Sequence, residues 1–209
     1  GNMKKILAIL LIAVVAFSAI SCSKDKTAGA AKADYPEFIL NNGTEPQSLD
    51  PSKIQGVPEH RIYMALFEGL VGYDPETNAA VPGVAESWSR NDAQDVITFK
   101  LRDCTWSDGV KITAQTFVDS WLYYLAPETA AEYAYMPAMI IKGASEYNAG
   151  LAGKEAVGIR AVDDKTFEVQ LIGPVAYAVD MMGHYAFACL PMHAMEKYGA
   201  DWIKPGNFV

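Results

Sequence analysis

Strict alternation of apolar and polar residues between positions 157 and 171 is the feature that most constrains this chain. Val157 and Ile159 alternate with small or polar neighbours before the Asp163–Asp164 pair, and the run 167–171 alternates after it. A period of two places successive side chains on opposite faces of a strand, and paired acidic residues favour a turn. The segment therefore predicts a β-hairpin with one buried face and one face in water.

A helix is predicted after a tight turn in the middle of the chain. Residues 106–109 contain an Asp-Gly pair, which tolerates the positive φ that such turns need, and Thr113 is placed to cap a helix. Apolar residues then recur at helical intervals until Pro127 ends the helix. They are Phe117, Val118, Trp121, Leu122 and Leu125.

The remaining elements are shorter. Residues 87–102 predict a second hairpin, and short helices are predicted at 62–70, at 177–182 and after Pro191. Because strands and helices are mixed without a regular βαβ rhythm, the predicted fold class is α+β or mixed α/β. Trp88, Trp106 and Trp121 lie beside turns or on the apolar stripe, which assigns them to the core.

The first 21 residues have the layout of an export signal. Two lysines precede the apolar run 6–20, which is shorter than the roughly 20 residues that a membrane-spanning helix needs and is soon followed by charged residues. Residues 1–21 are therefore interpreted as a signal peptide. Residues 1 and 2 are interpreted as additions before the natural start at Met3.

Residues 19–22, Ala-Ile-Ser-Cys, resemble the lipobox of bacterial lipoproteins, in which the cysteine is acylated and becomes the new amino terminus. The resemblance implies lipidation of Cys22, although alanine replaces the usual leucine at position 19. Ordinary secretion and an uncleaved anchor are the alternatives. Residues 22–34, rich in alanine, lysine and small polar residues, predict a flexible lipid-anchored tether.

Charge and motif content exclude several function classes. Without residues 1–21 the 17 basic residues fall to 15 against 25 acidic ones, so the net charge changes from −8 to −10 and gives no electrostatic basis for nucleic-acid binding. Cys104 and Cys189 lie far apart with no nearby histidine set, which predicts no metal site and two unpaired core thiols, a disulfide being the alternative. No phosphate loop or nucleophile elbow occurs, so neither a cofactor nor an enzymatic activity is predicted.

Five sequence strings occur in one order and together are specific. They are EPQSLDP (45–51), LFEGL (66–70), PGVAESW (82–88), WSDG (106–109) and TAQTFV (113–118). The chain thereby resembles the oligopeptide-binding proteins of ABC importers, within the dipeptide, oligopeptide and nickel-binding class. The resemblance continues through DDKTFEV (163–169) to PGN (205–207), so it covers essentially all of the mature chain.

The resemblance implies a periplasmic-binding-protein-like fold, in which two lobes close on a peptide and an extra domain is attached to the first lobe. Residues 35–67 are expected to begin the first lobe, residues 68–191 to form the extra domain, and residues 192–209 to return to the first lobe. Members of the class are much longer than this chain. The fold is therefore expected here in truncated form, without the second lobe.

The resemblance also implies binding residues. Peptide importers accept many side chains by recognising the backbone and charged ends that all peptides share. Gln55, Gly56 and Val57 match the segment that pairs with ligand backbone, with a plain surface loop as the alternative. Tyr133 matches a tyrosine that lines the cleft, and His184 matches a histidine that faces it and can sense a peptide carboxylate. Their alternatives are an aromatic core residue and a structural histidine.

The predicted function is that of an extracytoplasmic solute-binding lipoprotein in the periplasm or cell envelope. It would capture oligopeptides by their backbone and deliver them to the permease subunits of an ABC importer, with a lipid anchor in the membrane. One alternative is the same fold carrying a nickel complex or haem, and another is a truncated surface lipoprotein that acts by protein–protein contact. A missing lobe exposes apolar surface, so self-association is also predicted.

Overall fold

The computed structural model describes residues 39–209, and the chain divides into the compact units 1–41 and 42–209. All helices and strands named below belong to the second unit. The predicted signal peptide, the tether and its Cys22 lie outside the described residues.

In the part of the chain that the structure describes, six strands form two antiparallel sheets. They are β1 (Val71–Tyr73), β2 (Ala80–Pro82), β3 (Ala85–Arg90), β4 (Val96–Leu101), β5 (Ile159–Asp163) and β6 (Thr166–Gln170). Strands β1 and β2 pair with each other, and the other four follow the spatial order β3-β4-β6-β5. Both predicted hairpins are confirmed. The two join through β4 and β6, where Phe99 is the pairing partner of Phe167.

Within residues 39–209, six helices and four short 3₁₀ turns surround the sheets. The helices are α1 (Val57–Leu66), α2 (Ala114–Leu125), α3 (Tyr135–Ile140), α4 (Ala144–Asn148), α5 (Ala178–Met181) and α6 (Met192–Tyr198). The 3₁₀ turns are Pro127–Thr129, Lys154–Ala156, Tyr185–Phe187 and Gly199–Ile203. The predicted mixed fold class is confirmed. Within residues 39–209 no helix combines the length and apolar character that a membrane span requires.

Local sequence explains both ends of α2. Thr113 is the residue before the helix, and its N–H donates to the hydroxyl of Thr116 at 3.0 Å. This bond satisfies a donor that no helical carbonyl can reach. The helix ends at Leu125, two residues before Pro127, which has no N–H and disfavours helical backbone in the residue before it. The predicted cap and stop are therefore confirmed.

The apolar stripe of α2 packs on the four-stranded sheet. The rings of Phe117 and Trp121 lie 5.7 and 5.0 Å from that of Phe167 between centroids, and Phe167 stacks on Phe99 at 6.3 Å. All four side chains are 1% exposed or less. Complete burial stabilises a fold by roughly 2–3 kcal/mol for each such side chain, so this layer holds α2 on the sheet. We call it the sheet core.

A second apolar cluster joins segments from the two ends of the described chain. Tyr63 of α1 and Tyr185 belong to it. Nearby, the ring of Phe67 lies 6.5 Å from Trp202 and 5.6 Å from Phe208. The residues before β1 are therefore held against those that follow the sheets.

The structure differs from the sequence-based predictions in two places and agrees with them in a third. Helix α1 runs from Val57 to Leu66 and not over 62–70, because Pro58 suits the first helical turn. Helices α3 and α4 were not predicted, since six and five residues are too short to show a helical period. The assignment of Trp88 and Trp106 to core packing is confirmed, because both pack partly buried against the main core.

The two cysteines of the described region are free, as predicted. Cys189 is buried, and Cys104 is half-buried. Burial raises the pKa of both thiols, so neither is a reactive thiolate at neutral pH.

Candidate functional site

Residues 55–57 present accessible backbone at the start of α1. Gln55, Gly56 and Val57 are all exposed, Val57 by 61%. Gly56 has φ 100° and ψ 172°, a conformation that L side chains rarely adopt. A Cβ at this position would also lie 3.3 Å from a carboxylate oxygen of Glu59. The segment is therefore open to solvent and carries no side chain at its centre.

The backbone groups of this segment differ in whether they are already paired. The carbonyl of Gly56 accepts from the N–H of His60 at 3.2 Å, and the hydroxyl of Tyr185 lies near the backbone of Gly56. In the described part of the chain, no hydrogen bond uses the N–H or C=O of Gln55 or the N–H of Val57. Gln55 and Val57 are thus available to an added strand.

The predicted residues Tyr133 and His184 lie together, although they are far apart in sequence. Their ring centroids are 5.3 Å apart. Tyr185 contacts both, at 5.3 Å from Tyr133 and 4.0 Å from His184. Tyr133 and His184 are half-buried over the buried Tyr185, whose hydroxyl reaches Gly56. The structure therefore places these two predicted rings beside the predicted backbone segment.

Helix α2 fixes the chain that carries His184. Trp121 Nε1 donates to the carbonyl of Phe187 at 2.9 Å, and the hydroxyl of Ser120 accepts from the N–H of Leu190 at 2.9 Å. Both bonds are buried, where an alternative partner from water is not available. These bonds hold the chain that follows His184 against α2.

His60 belongs to the same ring cluster, although its sequence context does not predict it as a site residue. Its ring lies 6.0 Å from His184 at an interplanar angle of 18°, and 5.7 Å from Tyr185. One signal was present in the sequence. His60 follows Gly56 by four residues, which is about one helical turn, and so lies on the same side of α1 as the exposed segment. We call residues 55–57 together with His60, Tyr133, His184 and Tyr185 the ring surface.

Burial keeps the ring surface neutral near pH 7. Burial first, and His60 second, lower the pKa of His184 to about 4, and burial lowers the pKa of His60. Burial raises the pKa of Tyr185; the hydroxyl of Tyr133 adds to this rise, and the N–H of Gly56 opposes it. At neutral pH the surface therefore offers uncharged hydrogen-bonding groups.

Comparison with known families identifies the group to which the architecture corresponds. Residues 79–209, more than half of the chain, match the family described as bacterial extracellular solute-binding proteins, family 5, middle region. The chain belongs to this family. Its members are solute-binding proteins, which confirms the resemblance found in the sequence strings.

Relatives of this family 5 protein carry names that refer to peptides. The periplasmic oligopeptide-binding protein OppA of Escherichia coli K12 is 44% identical over 192 residues, which are 91% of this chain and 35% of OppA. The periplasmic murein peptide-binding protein MppA of the same organism is 36% identical over 198 residues, 94% of this chain and 36% of MppA. The chain spans about a third of the length of these relatives.

Solved structures confirm the predicted fold class. Haemophilus influenzae OppA in complex with the peptide RPPGFSPFR matches with a TM-score of 0.76 at 40% identity, over 80% of this chain and 33% of that one. An oligopeptide-binding protein of Borrelia burgdorferi, OppAIV, matches with a TM-score of 0.76 at 41% identity, over 79% and 33%. This family 5 chain therefore corresponds to one part of a periplasmic oligopeptide-binding fold.

Proposed function

We propose that the protein is an extracytoplasmic peptide-binding lipoprotein and that its ring surface is one wall of a cleft for oligopeptides. The observation that carries the proposal is the unpaired backbone of Gln55 and Val57 beside the rings of Tyr133 and His184. A ligand strand can add to such backbone by main-chain hydrogen bonds, which do not depend on ligand sequence. The names of the OppA and MppA relatives support a peptide ligand.

The proposal also covers the cellular location of the protein and its transport partner. The protein would be tethered through Cys22 in the periplasm or cell envelope and would deliver peptides to the permease subunits of an ABC importer. The periplasmic relatives and the export-signal layout of residues 1–21 support this location. Its action would be binding without catalysis, in keeping with a family of solute-binding proteins.

We also propose that residues 68–191 form the extra domain, whereas residues 35–67 and 192–209 belong to the first lobe. All six strands lie between positions 71 and 170. Phe67 and Met192 pack against the same second apolar cluster, which brings the two outer segments together. Such packing supports a boundary on each side of the strand-containing region.

Calorimetric titration with peptides of two to five residues tests the function. We expect the protein to bind them and Gly56→Ala to bind them more weakly, because a methyl group strains this backbone and stands where a ligand chain approaches. Gly109→Ala is the matched control, since Gly109 has φ 88° and open space around it. It should be strained similarly while retaining peptide affinity.

Two outcomes would contradict this function. No heat with any peptide, together with tight binding of a nickel chelate or haem, would assign the fold to a different cargo. Equal weakening by Gly56→Ala and Gly109→Ala would show that strain, and not the ring surface, controls affinity.

Exposed apolar side chains on α1 support the proposal of self-association. Val57, Met64 and Leu66 are 61%, 47% and 49% exposed, and exposed apolar surface promotes association. We expect the sedimentation coefficient to rise with protein concentration and Leu66→Lys to reduce that rise. The control is Leu151→Lys, because Leu151 is 81% exposed in a different segment. A concentration-independent monomer would contradict the proposal.

A further inference from the structure

Each histidine of the ring surface has one nitrogen that is open to solvent. His184 Nδ1 accepts from the N–H of Ala186 at 3.1 Å, so the neutral ring carries its proton on Nε2. In the described part of the chain, the Nε2 atoms of His60 and His184 have no hydrogen-bond partner, and neither is among the buried unpaired atoms. Both Nε2 atoms are therefore accessible and unpaired.

The other ring nitrogen of His60 determines where its proton lies. Nδ1 of His60 is buried and has no hydrogen-bond partner in the described structure. A proton on Nδ1 would be a buried unpaired donor, whereas a proton on Nε2 can meet water or a ligand. We therefore assign the proton of neutral His60 to Nε2. Each ring then offers a donor at an accessible Nε2.

We propose that His60 and His184 together form a subsite for a ligand carboxylate, which accepts a hydrogen bond from each Nε2. The two rings lie close enough to share one ligand group, with centroids 6.0 Å apart and an interplanar angle of 18°. Hydrogen bonds to an ionised acceptor are about twice as strong as neutral ones. The inference rests on the proposed peptide-binding function and adds His60 as a residue that determines specificity.

The groups around the histidine pair are compatible with an incoming carboxylate. Tyr133, Tyr185 and Tyr63 face the pair, and burial raises the pKa of Tyr63 and Tyr185, so these two hydroxyls are neutral at pH 7. Glu59 is the acidic residue close to the histidine pair, since its carboxylate contributes to the raised pKa of Tyr185. Glu59 is buried: its Oε1 accepts a hydrogen bond from the N–H of Gln47 at 3.0 Å, and its Oε2 lies beside Gly56.

The subsite predicts that a proton is taken up on binding. In the free protein the pKa of His184 is about 4, because of burial and then His60, so the ring is neutral at pH 7. A bound carboxylate favours the charged ring and raises that pKa. Affinity should therefore increase as the pH falls from 7 to 5, by about tenfold if the pKa in the complex is about 6.

Titrations with three peptides at pH 7 and pH 5 test the subsite. Trialanine should bind about tenfold more tightly at pH 5, and trialanine amide should change little. Ala-Glu-Ala amide shows which carboxylate the subsite binds. If its affinity increases at pH 5, the subsite binds an acidic side chain. If only the affinity of trialanine increases, the subsite binds the carboxyl terminus. His60→Asn should lose most of the gain. The control His193→Asn should keep it, because His193 pairs with Asp108 outside the ring surface.

A second measurement needs no variant. The NMR titration midpoint of the His184 ring should move upward when trialanine is added and should stay in place with an amide that lacks carboxylates. Equal pH dependence for the acid and the neutral amide, or full pH dependence in His60→Asn, would overturn the inference while leaving peptide binding intact. If none of the peptides binds at either pH, the proposed function itself is wrong.

Discussion

The sheet core and the ring surface are both built from contacting rings, but they differ in whether their buried polar atoms are hydrogen-bonded. In the sheet core, Phe99, Phe117 and Phe167 carry no polar side-chain atom, and the indole N–H of Trp121 is paired with a carbonyl. Beside and within the ring surface, the hydroxyl of Tyr63 and Nδ1 of His60 are buried without a partner. Unpaired buried polar atoms cost stability, so the second region is the less optimised one.

This difference separates stability from function within one fold. Complete burial and paired polar groups maximise the stability of the sheet core. The ring surface instead keeps half-exposed rings and unused hydrogen-bonding groups, which is where proteins typically give up stability to retain a binding site. Substitutions in the two regions should therefore have different consequences, and four of them test this.

The largest loss is expected for Phe167→Ala. The residue is fully buried and contacts Phe99, Phe117 and Trp121, so its removal leaves a cavity between α2 and the sheet. We expect the free energy of unfolding to fall by about 3–5 kcal/mol. Urea denaturation followed by tryptophan fluorescence measures it, with Phe167→Leu as a control of smaller effect. A loss below about 1 kcal/mol would contradict the assigned core.

An intermediate loss is expected for Ser120→Ala. Ser120 is fully buried, and its hydroxyl is the acceptor for the N–H of Leu190 at 2.9 Å. Its removal leaves that N–H unpaired, which should cost about 1–3 kcal/mol. The same denaturation measurement applies, and Ser120→Cys, which keeps a weak acceptor, should lose less. Unchanged stability would mean that Leu190 finds another partner.

A smaller effect is expected in the pH dependence of stability. The pKa of His184 is about 4 in the folded protein, below its usual value near 6.5, so between these values the unfolded state binds more protons. The free energy of unfolding should therefore fall as the pH falls from 6.5 to 4, by about 1 kcal/mol after screening of a partly exposed ring. His184→Gln should flatten this slope and His193→Gln should not. Parallel slopes for His184→Gln and the wild type would refute the assignment.

The smallest effect is expected for Tyr63→Phe. Tyr63 is 3% exposed, and its hydroxyl has no hydrogen-bond partner in the described structure. Removal of this hydroxyl forfeits no bond, so we expect stability to change by less than about 0.5 kcal/mol or to rise slightly. Comparison with Ser120→Ala under identical conditions is the measurement. A loss as large as that of Ser120→Ala would show that the hydroxyl is paired in solution.

Much of the local structure was predictable because its causes lie within a few residues. The alternation around Ile159 and Phe167 predicts β5 and β6, and Thr113 and Pro127 mark the ends of α2. The candidate site was predictable only through resemblance to a family. Gly56, Tyr133 and His184 carry no pattern that links them, and His60 went unidentified because histidine alone has no characteristic spacing.

By itself, the sequence determined the hairpins, the capped helix and the family. These depend on backbone preferences and on side-chain periodicity, which act between near neighbours in the chain. Only the tertiary structure decided the strand order β3-β4-β6-β5 and the meeting of His60, Tyr133 and His184. Those contacts join distant residues, because they arise from how whole elements pack against one another to fill the core.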